Sequence, residues 1–97
     1  MATATGSAVI DFGANPGLNE AQVAVSGQGA ISATSKVEAF IMGDDTSSNH
    51  SASDHKYAGL FISLSCGTPT AGTGFNIYAR STQKMTGQFT VRWVWAD

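Results

Sequence analysis

Along this chain, apolar and polar positions alternate in short runs, and stretches rich in glycine, serine and threonine separate the runs. The clearest run is the last. From Gly87 to Asp97, Phe89, Val91, Trp93 and Trp95 fall on one side of an extended backbone, and Gln88, Thr90, Arg92 and Val94 on the other. A period of two is the signature of a β-strand. Both tryptophans of the protein share one face of this strand, so that face must meet a core, a partner subunit or a ligand.

The same reading predicts about six strands in all. The first spans about Ala4 to Phe12 and stops before Gly13, Asn15, Pro16 and Gly17, a turn-forming cluster. The second is Ala21 to Ser26, closed by Gly27, Gln28 and Gly29. The third covers Lys36 to Met42, with both faces partly apolar. Gly43 to His55 is then polar throughout and reads as a surface loop holding one helical turn. A fourth strand is expected from Lys56 to Cys66, in a central position, because Ala58, Leu60, Ile62, Leu64 and Cys66 alternate with Tyr57, Gly59, Phe61, Ser63 and Ser65. Gly67 to Gly74 forms a loop, and Phe75, Ile77 and Ala79 mark the fifth strand. Ser81 to Thr86 reads as a polar link into the tryptophan strand.

Links this short leave no room for the crossover helices that parallel strands need, so the expected fold is all-β. It is a small antiparallel β-sandwich or jelly-roll-like barrel of about six strands. The 97 residues fit a single domain, with a short, uncharged N-terminal arm over about residues 1–7. Charged residues are only 12 % of the chain, too few for the exposed faces of a helical bundle of this size. The formal charge is −2 and the five cations are scattered, which argues against nucleic-acid binding. No apolar run approaches the ~18 residues of a membrane helix, and the first residues lack the pattern of a secretory signal, so soluble synthesis in a cytoplasm is expected. Cys66 stands alone and reads as a small buried thiol, and the sequon at Asn49, His50 and Ser51 as a chance match in a polar loop.

Candidate chemistry is sparse. His50, Asp54 and His55 supply imidazole and carboxylate, but a spacing of five residues places the histidines together on neither a helix nor a strand face. A capped turn is the better reading, and no metal is expected. No nucleophile-elbow pattern accompanies any serine, so no catalytic residue and no cofactor is expected. The paired glycines at 27 and 29, and at 72 and 74, precede no helical pattern and serve turns rather than phosphates. Phe89, Trp93 and Trp95, together with Tyr57 and Tyr78, could stack on sugar rings, with Asn76 or Gln88 binding hydroxyls. Large aromatics on one strand face more often belong to a core or a subunit contact.

Several strings together resemble a known group. They are Val9-Ile10-Asp11-Phe12-Gly13, Val37-Glu38-Ala39, the segment His50 to His55, Gly72-Thr73-Gly74-Phe75-Asn76-Ile77-Tyr78, and Thr86 to Trp95. In this combination the chain resembles the small structural virion proteins of tailed bacteriophages and prophages. The resemblance implies a non-enzymatic capsid decoration (cement) protein, or a head or tail appendage, that forms a homo-oligomer, commonly a trimer. Its partners would be its own copies and the major capsid or other virion proteins, with neither nucleic acid nor membrane, and its place would be the virion. Lattice contacts are expected on the arm, with Thr3 and Thr5, and on the polar loop, with Asp44, Asp45, His50, Asp54 and His55. Phe89, Trp93 and Trp95 would serve the core or the self-interface. The other reading is a carbohydrate-binding module, or the receptor-binding part of an appendage, that uses the Trp93 and Trp95 face.

Overall fold

The computed structural model describes residues 3–14, 16–42, 55 and 58–97. Among them are six strands: β1 (Thr3–Asp11), β2 (Leu18–Val25), β3 (Lys36–Phe40), β4 (Ile62–Cys66), β5 (Phe75–Met85) and β6 (Gln88–Ala96). They form two three-stranded antiparallel sheets, ordered β1-β6-β3 and β2-β5-β4. The protein is an all-β sandwich. The tryptophan strand and β5 hold the two central places, which is where alternation is most completely buried: Phe89, Val91, Trp93 and Trp95 from one, and Phe75, Ile77, Ala79 and Ser81 from the other.

The register explains the sequence of β1. Its inward positions, Ala4, Gly6, Ala8 and Ile10, lie opposite Trp95, Trp93, Val91 and Phe89. Small residues thus face the large ones, and the volume of the indoles is taken from β1. Gly6 leaves no room for a side chain, since a Cβ there would collide with the Trp93 indole. On the other flank of β6, Val37 and Ala39 lie opposite Trp95 and Trp93. Phe75 of the second sheet meets the Trp93 ring edge-on, with centroids 5.5 Å apart, and so ties the two layers together.

The chain leaves β1 through a turn that depends on Gly17. Its φ of 84° lies in the left-handed region, and an added Cβ would fall 2.1 Å from the carbonyl oxygen of Met85. The arch between β5 and β6 closes against the same turn: Phe12 N–H donates to the Gly87 carbonyl (2.9 Å), and Gly87 N–H to that of Gly13 (2.8 Å).

Three expectations are corrected here. Residues 3–7 are not an arm. They supply five of the nine β1 pairings with β6, because their small side chains are what the indoles require. The fourth strand starts at Ile62 and lies at an edge of its sheet rather than the centre. Before it, Gly59 N–H donates to the His55 carbonyl (3.1 Å) and Phe61 N–H to that of Ala58 (2.9 Å), a helical turn that takes over residues whose alternation imitates a strand. Finally, the expected polar link continues β5 to Met85. Ser81 and Gln83 put polar side chains at the positions that continue the inward row of Phe75, Ile77 and Ala79, so no apolar alternation marks it, and the pairing with β2 shifts register between Leu18 and Glu20.

The fit at Gly6 yields a first prediction. Gly6→Ala gains roughly 0.4–1 kcal/mol by restricting the unfolded chain. It loses roughly 1–3 kcal/mol by forcing the buried indole aside. Net destabilisation is expected as a lower midpoint in urea unfolding followed by tryptophan emission.

Candidate functional site

The aromatic face singled out from the sequence lies inside the subunit. Phe89, Trp93 and Trp95 are 2 %, 6 % and 3 % exposed, so they offer neither a sugar platform nor a self-interface. Trp95 Nε1–H donates to Gln28 Oε1 (3.0 Å), and Thr3 Oγ1 donates to the Trp95 carbonyl (2.8 Å). The indole N–H of Trp93 is buried and meets no acceptor among the described residues.

His55 is also not on the surface. It is fully buried and stacks edge-on against Phe89, with centroids 5.4 Å apart. β3 ends at Phe40, opposite Arg92, and the next β6 amide on that side belongs to Thr90. His55 reaches it: Thr90 N–H donates to its Nε2 (2.9 Å). That nitrogen therefore carries no proton and is not available to a metal. The imidazole completes a sheet edge, a role that no local spacing announces. Asp44, Asp45, His50 and Asp54 lie outside the described residues, and among the described residues no cluster of metal-ligating side chains occurs.

Two surfaces remain. The first is the open edge of β1. Phe12 bonds to Gly87, and antiparallel ladders alternate, so Ala4, Gly6, Ala8 and Ile10 spend their backbone groups on β6. Thr3, Thr5, Ser7, Val9 and Asp11 aim theirs outward. No charge or proline stands between Thr3 and Ile10. The other edges carry the usual protections. β2 has Glu20 and the register shift, β3 has Lys36 and Glu38, and β4 is only five residues long. β1 is nine residues long and uncharged from Thr3 to Ile10, and no strand among the described residues pairs with its outer edge.

The second surface is the outer face of the β2-β5-β4 sheet, an open depression of about 560 Å³. Gln22, Ser63, Ser65 and Tyr78 line it, and Glu20 and Arg80 face each other across it. Nε and Nη2 of Arg80 both donate to one oxygen of Glu20. Both side chains are mostly exposed, so this ion pair adds little to stability and can rearrange. Tyr78 is 40 % exposed. Its place among the aromatics is legible in the sequence, but the Glu20–Arg80 pairing is not, because it follows from a strand order that joins the second strand to the fifth.

Cys66 lies on the inward side of β4, half-buried. Burial pushes its thiol above the ordinary cysteine range, and the negative charge of Glu38 pushes it further the same way. The chain matches no known protein-family model, no curated protein and no solved structure.

Two predictions follow from these environments. His55→Phe keeps the ring but orphans the Thr90 N–H, so a loss of roughly 1–3 kcal/mol is expected in denaturant unfolding. His55→Gln, which can still accept, should lose less. For Cys66, the raised value means less thiolate at any given pH. Alkylation of the folded protein by iodoacetamide should run slower than that of the urea-unfolded chain at neutral pH, and its rate should rise at higher pH than in the unfolded chain.

Proposed function

We propose that this chain is a non-enzymatic structural protein of a tailed-bacteriophage virion, a capsid decoration protein that associates with its own copies and seats on capsid subunits. One observation carries the reading: from Thr3 to Ile10 β1 presents eight uncharged residues, and among the described residues no strand pairs with its outer edge. A monomer with no use for such an edge is a hazard to itself, since any extended segment can add to it. An assembly protein has a use for it. Edge pairing supplies a fixed register and a set of backbone hydrogen bonds, and repetition over a lattice converts modest contacts into lasting attachment. About 800 Å² per partner is enough for a specific contact of this kind.

The outer face beside that edge adds apolar area. Val9 and Phe40, both exposed, stand on the same side of the β1-β6-β3 sheet as Thr3, Thr5 and Ser7. The oligomer number follows from the resemblance to virion proteins and is three. The carbohydrate reading loses its original basis, because the Trp93 and Trp95 rings are buried within the subunit.

Proline tests the edge selectively. At Thr5 the backbone N–H points outward, so Thr5→Pro removes no bond to β6 and blocks the open edge. The expected result is a smaller mass in light scattering and loss of the protein from purified particles, with the tryptophan circular dichroism unchanged. Thr5→Lys should act in the same direction. Particles that carry either variant at the wild-type copy number would contradict the proposal.

A further inference from the structure

We propose that the outer face of the β2-β5-β4 sheet is a binding site for a neutral oligosaccharide, with the ring of Tyr78 as its stacking platform. The argument begins at Gly67. A Cβ there would lie 3.2 Å from Cε2 and 3.4 Å from the hydroxyl of Tyr78, so the ring leans across the end of β4 over a residue that has no side chain. A tyrosine in the middle of a sheet face normally stands away from the sheet. This one lies low beside Gly67 and remains 40 % exposed. A flat, partly exposed ring on a rigid strand is the geometry on which the apolar face of a pyranose rests.

The groups around the ring match hydroxyls. A sugar hydroxyl both donates and accepts, so its partners must offer both functions. Arg80 supplies donors and Glu20 acceptors, held side by side by their mutual pairing. The second carboxylate oxygen of Glu20 has no partner among the described residues. Gln22, on the neighbouring strand, lies directly opposite Tyr78 in the register and offers both functions in one amide. Ser65 lies opposite Tyr78 on the other flank and Ser63 opposite Arg80, and these short side chains keep the floor of the depression low.

Charge selects the class of ligand. The one carboxylate and the one guanidinium lining the depression cancel, so the site has no net attraction for a phosphate, a sulfated glycan or a uronate. A neutral polyol is what remains. Across the sheet the lining runs from Gln22 on β2 over Tyr78 to Ser65 on β4, two strand spacings or roughly 10 Å. That length suits a short oligosaccharide better than a single ring. This face belongs to the sheet that does not contain β1, so sugar binding leaves the open edge available, and the two readings stand or fall separately.

The test is titration of the isotope-labelled full chain with maltohexaose, cellohexaose, chitohexaose and mannohexaose at millimolar concentrations, followed by amide chemical shifts. At least one should move the amides of Gln22, Ser65, Tyr78 and Arg80 together and leave those of β1 unmoved. Tyr78→Ala should weaken that binding at least about tenfold, and Tyr78→Phe, which keeps the ring, should retain it. Unchanged tryptophan circular dichroism would show that both variants are folded. Silence toward all four sugars, shifts centred elsewhere, or full binding by Tyr78→Ala would overturn the proposal.

Discussion

The sandwich depends on the contact between a strand of large residues and a strand of small ones. Two indoles, a phenyl ring and a valine project from one face of β6, and a sheet has room for such a row only if the neighbouring strand yields volume. β1 yields it through Ala4, Gly6 and Ala8. Without that strand, Trp93 and Trp95 would face water on one side, and the second sheet would pack against an incomplete floor. Trp93 also carries a cost, a buried N–H with no acceptor among the described residues, which by itself costs roughly 1–3 kcal/mol. Burial of the large aromatic surface around it, the Phe75 edge included, offsets this.

The same constraint shapes the surface. A strand selected for small inward residues and mostly polar outward ones ends with no charge from Thr3 to Ile10. Among the described residues no strand pairs with its outer edge, whereas the other three edges are charged, shifted in register or short. The property that lets β1 accept the indoles is thus the property that leaves it open to pairing. On the proposed reading packing and assembly are connected through one strand, and the opposite sheet keeps a balanced polar face around Tyr78.

Much of the fold is legible in the sequence, because period-two alternation with a buried face is a direct consequence of strand geometry. Six strands, their antiparallel pairing and the special place of the tryptophan strand all follow from it. What fails does so for identifiable reasons. Residues 58–61 alternate like a strand yet form part of a helical turn, since alternation over a few residues cannot exclude a turn that tertiary contacts favour. The far half of β5 carries no apolar mark. The arm is misread because small, uncharged residues look unanchored until their large partners are known. The candidate site is less legible still. His55 looks like a loop histidine until its bond to the Thr90 amide of β6 is seen, and Glu20 meets Arg80 only through a pairing that sequence order does not reveal.

The central claim is that residues 3–11 form an integral strand, one side fastened to β6 and the other open for assembly. Residue-resolved amide hydrogen exchange tests it directly. The account predicts slow exchange at Ala4, Gly6, Ala8 and Ile10 in dispersed protein and in particles alike. Thr5, Ser7 and Val9 should exchange quickly when the protein is dispersed and slowly once it is assembled. Equally fast exchange at odd and even positions, or an assembled state in which the odd positions stay unprotected, would contradict it.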